Sequence, residues 1–323
     1  MANAQTPPID ASKQAGAPEE PATPDRAAKI KMRHYIEAAF AFAFMGILRR
    51  LSFTNASDLG SWCGRIVAPW TGAWRTAKKN LSLAMPEFGL FERDRVAREA
   101  FDNFGRVMAE YVKLPWLWRT RWNEIIEIAG KDHMQRMVTS RKGAIVFTAH
   151  IANWELIPMV LAHAGKPTML VYRAANNPLI DRRIAQIRSH YTVRLAPKGS
   201  EGARDIISHV QSGGLVFMVV DQKMNTGLEV PFFGVGAMTG KAIARIAMRH
   251  NCELFPARCE RLGSAQFRVT FEAPWYVAGD PRNDVDVRSA LARINLKFEE
   301  WIRATPGQWL WMHRRWPKDA KRT

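Results

Sequence analysis

From Ile126 onward the sequence alternates short apolar runs with segments of helical periodicity, and this alternation constrains the fold more than any other feature. Strands connected by helices usually pair in parallel, because a helix is the common crossover between parallel strands. The sequence therefore predicts an α/β fold with a mostly parallel sheet flanked by helices. Strands are predicted at 144–149, 168–172, 192–195, 215–220, 253–258 and 266–272, and helices at 153–164, 178–190, 201–212, 240–250 and 284–303.

The first 125 residues differ in character and divide into three parts. Residues 1–28 contain five prolines and no aromatic residue, and such a segment cannot offset the entropy of ordering, so we expect a disordered tail. Residues 29–56 contain the uncharged run Ala38 to Leu48 followed by Arg49-Arg50. Residues 57–125 show the apolar spacing of amphipathic helices and belong, with the α/β part 126–323, to one catalytic domain at 57–323.

The segment 29–56 is predicted to be a membrane anchor helix. The eleven uncharged residues of its apolar run would cover about 16 Å of helix, well short of the apolar core of a bilayer. The anchor is therefore either a marginal span or an interfacial helix held by cations on both sides. A buried core helix is the alternative.

One predicted junction between a strand and a helix carries a histidine and a carboxylate five residues apart, His150 and Glu155. Residues at this spacing on one helix point about 140° away from each other. They can meet only if His150 precedes the helix and Glu155 lies in its first turns. The carboxylate would then accept the imidazole N–H and raise the basicity of the other nitrogen. We therefore predict His150 as a general base oriented by Glu155; a structural histidine is the alternative.

Two further predicted strands end in charged residues. Arg173 follows Val171-Tyr172, and Asp221 follows Val219-Val220. Because ligands bind outside the carboxyl ends of strands in open α/β sheets, His150, Arg173 and Asp221 are expected to share one crevice. A solvated charge at a strand end is the alternative for each residue.

Other enzyme chemistries lack their motifs in this chain. There is no G-x-S-x-G nucleophile motif and no H-E-x-x-H zinc motif. The three cysteines, Cys63, Cys252 and Cys259, lack the spacing of zinc ligands and suit a reducing compartment. We therefore predict no metal and no cofactor.

The charge and the tryptophan content indicate what the protein binds. A net charge of +17 favours anionic partners, namely nucleic acid, phospholipid head groups or an acidic protein. Twelve tryptophans are typical of a surface at a bilayer interface, although ordinary core packing explains many of them. A nucleic-acid binder would account for both features, but no recognised nucleic-acid motif is present.

Several motifs occur in a fixed order along the chain: N-F-G-R-x-x-x-E at 103–110, H-x-x-x-x-E at 150–155, Y-R-x-x-N-N-P at 172–178, D-Q at 221–222, V-P-F-F-G at 230–234 and P-G-Q-W-L-W at 306–311. This ordered set resembles the late acyltransferases of lipid A biosynthesis, the lauroyl/myristoyl type within the lysophospholipid acyltransferase group. The resemblance extends from about Ala38 to Trp316. It implies an enzyme on the cytoplasmic face of the bacterial inner membrane that uses an acyl carrier protein thioester as donor. The implied acceptor is a hydroxyl on an acyl chain of a phosphorylated lipid A precursor.

The resemblance and the residues agree on a mechanism in which His150, held by Glu155, removes the hydroxyl proton as the oxygen attacks the thioester. Arg173 is expected to hold a phosphate or the developing oxyanion, and Asp221 to orient Arg173 or the acceptor. An acyltransferase for a lysophospholipid or an amino-acid-linked lipid is the nearer alternative, and a nucleic-acid-binding protein the more distant one. The last residues suit lipid phosphates or an acidic carrier protein: Arg314, Arg315, Lys318, Lys321 and Arg322.

Overall fold

The computed structural model describes residues 30–120, 122–197 and 200–322, so the expected disordered tail at 1–28 lies outside the described residues. The helices are α1 (Met32–Arg50), α2 (Phe53–Val67), α3 (Gly72–Ala84), α4 (Leu90–Tyr111), α5 (Leu114–Arg119), α6 (Trp122–Ile125), α7 (Lys131–Thr139), α8 (Leu156–His163), α9 (Pro178–Arg188), α10 (Ser200–Gln211), α11 (Ala242–His250) and α12 (Asp284–Ala304). The strands are β1 (Ile126–Ala129), β2 (Ala144–Thr148), β3 (Thr168–Tyr172), β4 (Thr192–Pro197), β5 (Leu215–Val219), β6 (Lys223–Phe232), β7 (Val235–Thr239), β8 (Glu253–Gly263) and β9 (Gln266–Phe271).

In the part of the chain that the structure describes, seven strands form one sheet in the order β1-β9-β8-β2-β5-β3-β4. The β8–β9 pair is antiparallel and the other neighbours are parallel, which confirms the predicted mostly parallel α/β fold. All five residues of the central strand β2 are buried, as expected for a parallel strand covered by helices on both faces. Because β2, β5 and β3 are neighbours, the segments that follow them emerge side by side at one edge of the sheet.

Four elements of the α/β part were not predicted. Strand β1 has only four residues and helix α7 only nine, so each offers a weak periodic signal. Strands β6 and β7 form an antiparallel hairpin, whose turn residues Phe233 and Gly234 both have positive φ, as a tight hairpin turn requires. Residues Val235–Thr239 form the second strand of this hairpin.

Helices α2 and α4 approach each other closely at glycines. A Cβ atom on Gly60 would lie 2.3 Å from the backbone oxygen of Gly105, and one on Gly64 would lie 2.3 Å from that of Phe101. Any larger side chain would push the two helices apart. This contact fixes α4, which carries Asn103 and Glu110 toward the candidate site.

Helix α1 lies on α9 and buries few of its residues. His34, Ala38 and Leu48 are buried, whereas Phe40 is 75% exposed. The Asn177 side chain, at the start of α9, donates to the His34 carbonyl oxygen (2.9 Å) and to Glu37 (3.0 Å). Within the described residues, none of the helices has the length and apolar character needed to span a bilayer.

The tryptophans differ widely in burial. Trp301, Trp309, Trp311 and Trp316 are almost fully buried, so core packing is the correct interpretation for these four. Trp70, by contrast, is 89% exposed. The tryptophans that remain available to an interface lie near the N-terminal helices, not at the C-terminus.

Candidate active site

His150 lies in the loop after β2, beside the residues that follow β5. Its Nδ1 atom is 2.5 Å from Oδ1 of Asp221, and its backbone N–H donates to Oδ2 of the same carboxylate at 2.9 Å. The indole N–H of Trp309 also donates to Oδ2, at 2.7 Å. Asp221 therefore holds both the ring and the backbone of His150.

The Asp221 carboxylate is buried and remains ionised. Burial opposes its ionisation, but its electrostatic interaction and hydrogen bonds with His150 and the hydrogen bond from Trp309 outweigh that effect and hold the pKa of Asp221 well below its usual range. An ionised carboxylate only accepts hydrogen bonds, so Nδ1 of His150 carries the proton. The Nε2 atom is then the acceptor on the side of the cleft, where the amide nitrogen of Gln222 lies 3.3 Å away.

The prediction that Glu155 orients His150 was wrong, and within the described residues Asp221 is hydrogen-bonded to His150 and Trp309 and not to Arg173. Among the described residues, Glu155 accepts hydrogen bonds from the Arg188 guanidinium and from the Tyr191 hydroxyl, the latter at 2.9 Å. The reason is the backbone between the two motif residues. Ala152 has a φ of 46°, so the chain after His150 is a turn, and Glu155 lies at the N-cap position of α8 without a side-chain capping hydrogen bond.

Arg188 is a functional candidate that the sequence did not reveal, because nothing in the pattern of α9 distinguishes it from Arg182 or Arg183. Burial opposes its charge, but the Glu155 carboxylate outweighs burial and raises the pKa of Arg188. The guanidinium also lies over the rings of Tyr111 and Tyr172, at 5.8 and 6.0 Å. Arg188 is thus a fixed cation at the site.

His150, Glu155 and Arg188 line a cleft of about 310 Å³. The exposed Arg173 side chain also contributes to its wall. The structure thus brings three of the four predicted site residues to one cleft, and the fourth, Asp221, lies behind His150. The polar residues that line the cleft are His150, Glu155, Tyr172, Arg173, Asn176, Arg188, Gln222 and His313.

An apolar cavity of about 110 Å³ adjoins this cleft, since Val171, Val219 and Gln222 line both. Its walls come from β3, β5, α10 and α11, and they include the isoleucines Ile206, Ile243 and Ile246. A polar cleft that continues into an apolar cavity suits a substrate with a reactive polar end and a hydrocarbon chain.

A buried polar network holds the loop between β2 and α8. Arg261 donates two hydrogen bonds to Glu110, at 2.6 and 3.0 Å, and Asn153 donates to the same carboxylate at 2.9 Å. The backbone N–H of Ala152 donates to the Gln308 carbonyl oxygen at 3.0 Å. A non-glycine residue at positive φ is strained, and it persists only where surrounding contacts fix it. The hydrogen bonds that Ala152 and its neighbour Asn153 make in this network supply those contacts.

The C-terminal segment contributes packing more than charge. Arg315 is 1% exposed, donates to the Met238 carbonyl oxygen and the Thr239 hydroxyl, and lies over the Phe232 ring. It therefore cannot bind lipid phosphates or a carrier protein as predicted, whereas Arg314, Lys318 and Lys321 are exposed.

Within the described residues, no group of three or more His, Cys, Asp or Glu side chains could hold a metal ion.

The sequence also matches known proteins over most of its length. The profile of a family described as bacterial lipid A biosynthesis acyltransferase matches residues 24–318. A lipid A biosynthesis palmitoleoyltransferase of Escherichia coli (strain K12) is 26% identical over 282 residues, which cover 85% of this chain and 89% of that protein. A phosphatidylinositol mannoside acyltransferase of Mycobacterium tuberculosis (strain ATCC 25618 / H37Rv) is 24% identical over 289 residues, or 87% of this chain and 88% of that protein. The chain therefore belongs to the bacterial lipid A biosynthesis acyltransferase family and is an acyltransferase.

Proposed function

We propose that this acyltransferase moves a fatty acyl group from an acyl carrier protein thioester to a hydroxyl of a phosphorylated lipid A precursor, with His150 as the general base. The observation that carries this proposal is the 2.5 Å contact between His150 Nδ1 and Asp221. It leaves Nε2 as the proton acceptor in a cleft that adjoins an apolar cavity. The E. coli relatives are named for lauroyl, myristoyl and palmitoleoyl transfer in lipid A biosynthesis.

In the proposed reaction the acceptor hydroxyl gives its proton to Nε2 of His150 while its oxygen attacks the thioester carbonyl carbon. Asp221 stabilises the imidazolium that forms, and the imidazolium then gives its proton to the thiolate as the C–S bond breaks. The developing oxyanion needs a nearby fixed positive charge. Arg188, held by Glu155, and Arg173 at the cleft wall are the proposed cations.

No acyl-enzyme is required, because a positioned hydroxyl and an activated thioester can react directly. Two of the cysteines are also poor nucleophiles. Burial raises the pKa of Cys252 to about 11 and that of Cys259 to about 12, so both remain thiols at neutral pH. The acyl chain of the donor or acceptor would occupy the apolar cavity beside the cleft.

We also propose that the enzyme works at the cytoplasmic face of the inner membrane, with α1 at the lipid interface. Exposed apolar side chains of α1, such as Ile36 and Phe40, and the exposed Trp62 and Trp70 near α2 support this proposal. Arg49 and Arg50 at the end of α1 would contact anionic head groups.

A second candidate acceptor is a mannosylated glycolipid. The mycobacterial relatives are named phosphatidylinositol mannoside acyltransferases, so the fold and the base fit more than one hydroxyl acceptor.

A panel of donors and acceptors tests which substrates the enzyme uses. Purified enzyme is given acyl carrier protein and coenzyme A thioesters in parallel, with a lipid A precursor, a mannosylated phosphoinositide and a lysophospholipid as acceptors. We expect transfer to the lipid A precursor with the carrier-protein donor and loss of that transfer in His150→Ala. Efficient transfer to another acceptor alone would refute the proposed substrate.

A further inference from the structure

A second cavity, of about 610 Å³, lies on the other side of α9 from the catalytic cleft. It is formed by the end of α1, the junction of α4 and α5, and α9. Its cationic side chains are Arg49, Lys113 and Arg183, and none of its described lining residues is a carboxylate. The described lining residues are Arg49, Val112, Lys113, Pro115, Trp116, Arg183, Gln186, Ile187, Ser189 and His190.

The three cations of this basic cavity are not equivalent. Lys113 is buried and donates to the carbonyl oxygens of Arg49 (3.1 Å) and Leu51 (2.7 Å), so it fixes the end of α1. Arg183 donates to the Gln186 side chain at 2.9 Å. Neither Arg49 nor Arg183 forms an ion pair with a carboxylate in the described part of the chain. Two unneutralised guanidinium groups beside one concave surface favour an anion, and a phosphate matches their planar donor geometry.

The location of the cavity indicates where the anion comes from. Helix α1 ends at the cavity and exposes Phe44 and Ile47 in the preceding turns. Trp116 lines the cavity and is 41% exposed, and tryptophan is favoured at the boundary between lipid chains and head groups. The cavity is therefore next to the surface proposed above to contact the membrane.

The cavity is also linked to catalysis through α9. Arg188 at the end of this helix lines the catalytic cleft, while its neighbours Ile187 and Ser189 line the basic cavity. Consecutive residues at the end of α9 thus face the two sites. An acceptor whose hydroxyl reaches His150 would bring its polar head group close to this helix.

We propose that the basic cavity binds the phosphate of a membrane lipid through Arg49 and Arg183, with Trp116 packed at the edge of the lipid. This inference rests on the proposed membrane location of the enzyme. The phosphate can belong to an acidic phospholipid of the bilayer or to the acceptor glycolipid. Both sources present the same chemical group, so the experiment separates them.

The chain offers a matched pair of variants for this test. The double variant Arg49→Gln/Arg183→Gln removes the two cations of the cavity. The control Arg50→Gln/Arg182→Gln removes two exposed cations adjacent in sequence, neither of which lines the cavity. Both variants lose the same charge, and each cation near an anionic membrane accounts for about fivefold in binding. That common loss cancels in the comparison, and equal melting temperatures confirm that both variants are folded.

Two assays are run. The first is co-sedimentation with phosphatidylcholine vesicles that contain about one-third phosphatidylglycerol, and with pure phosphatidylcholine vesicles. The second is the KM for a phosphorylated glycolipid acceptor in detergent. If a phospholipid fills the cavity, the cavity variant binds the acidic vesicles at least about tenfold more weakly than the control, because it loses the bidentate phosphate contacts. If the acceptor fills it, the KM for the acceptor rises by a similar factor relative to the control, with little change in kcat.

Equal behaviour of the two variants in both assays would overturn the proposal. A higher KM for the carrier-protein thioester, with vesicle binding and acceptor KM unchanged relative to the control, would also overturn it and assign the cavity to the donor protein. The vesicle assay does not require catalytic turnover, so its result does not depend on which acceptor the enzyme uses. An enzyme that binds acidic vesicles through the cavity but transfers nothing to a lipid A precursor would refute the proposed substrate alone.

Discussion

The Glu155 carboxylate forms a buried ion pair with the Arg188 guanidinium, and both groups line the cleft that contains His150. The carboxylate of the H-x-x-x-x-E motif therefore pairs with the Arg188 cation. The imidazole of His150 is held instead by Asp221, which follows a different strand. The two carboxylates have separate tasks: Asp221 acts on the proton acceptor, and Glu155 acts on the positive charge proposed to face the oxyanion.

Replacing Glu155 with Gln should destabilise the protein as well as slow it. The change leaves the buried Arg188 charge without its counterion, and breaking such a pair costs about 3–5 kcal/mol. Urea unfolding of Glu155→Gln measures this loss. The double variant Glu155→Gln/Arg188→Gln removes the unpaired charge and should recover part of the stability while acyl transfer remains low. Recovery of activity along with stability would show that Arg188 has only a structural role.

Replacing Arg173 with Lys tests whether this residue binds substrate. Lysine keeps the charge but loses the planar pair of donors, so kcat/KM for the phosphorylated acceptor should fall by about tenfold if the contact is bidentate. Arg182→Lys is the control, because Arg182 is exposed on α9 and does not line the cleft. Equal rates for Arg173→Lys and the wild type would place the residue outside the substrate contacts.

His163 should make folding stability depend on pH. Its ring lies 3.9 Å from the Trp118 ring and 4.7 Å from the Trp122 ring, and burial lowers its pKa from 6.5 to about 4. Between pH 6.5 and about 4, His163 binds a proton in the unfolded chain but not in the folded protein. The contribution of the neutral ring to folding stability is therefore complete above pH 6.5 and is lost as the pH falls toward 4. The imidazole is only partly buried, so we expect a contribution of about 1–2 kcal/mol.

The measurement is the free energy of unfolding as a function of pH. His163→Phe keeps the ring between the two tryptophans but cannot bind a proton. Its stability curve should therefore decline less than that of the wild type between pH 6.5 and 4. Curves of equal slope would show that His163 is not neutral in the folded protein.

The sequence predicts the sheet well because a buried parallel strand is a continuous apolar run, as at Ala144 to Thr148. The sequence does not predict which carboxylate contacts His150, because that contact depends on features of the fold that the local sequence pattern does not contain. One is the strand order, which places β5 beside β2 and brings Asp221 to the imidazole. The other is the positive φ of Ala152, which breaks the helical geometry assumed between His150 and Glu155. Arg188 was missed for a related reason, because its environment comes from Glu155 and Tyr191 on other elements.

The central claim is that His150 and Asp221 act as one catalytic unit, and steady-state kcat/KM for His150→Ala, Asp221→Asn and the double variant tests it most directly. Each single change should reduce acyl transfer by about 10²–10⁴-fold, the usual contribution of general-base catalysis. The double variant should be little worse than His150→Ala alone, because Asp221 acts only through the imidazole. Unfolding midpoints confirm that each variant is folded. Losses that multiply in the double variant, or near-normal transfer by His150→Ala, would contradict the account.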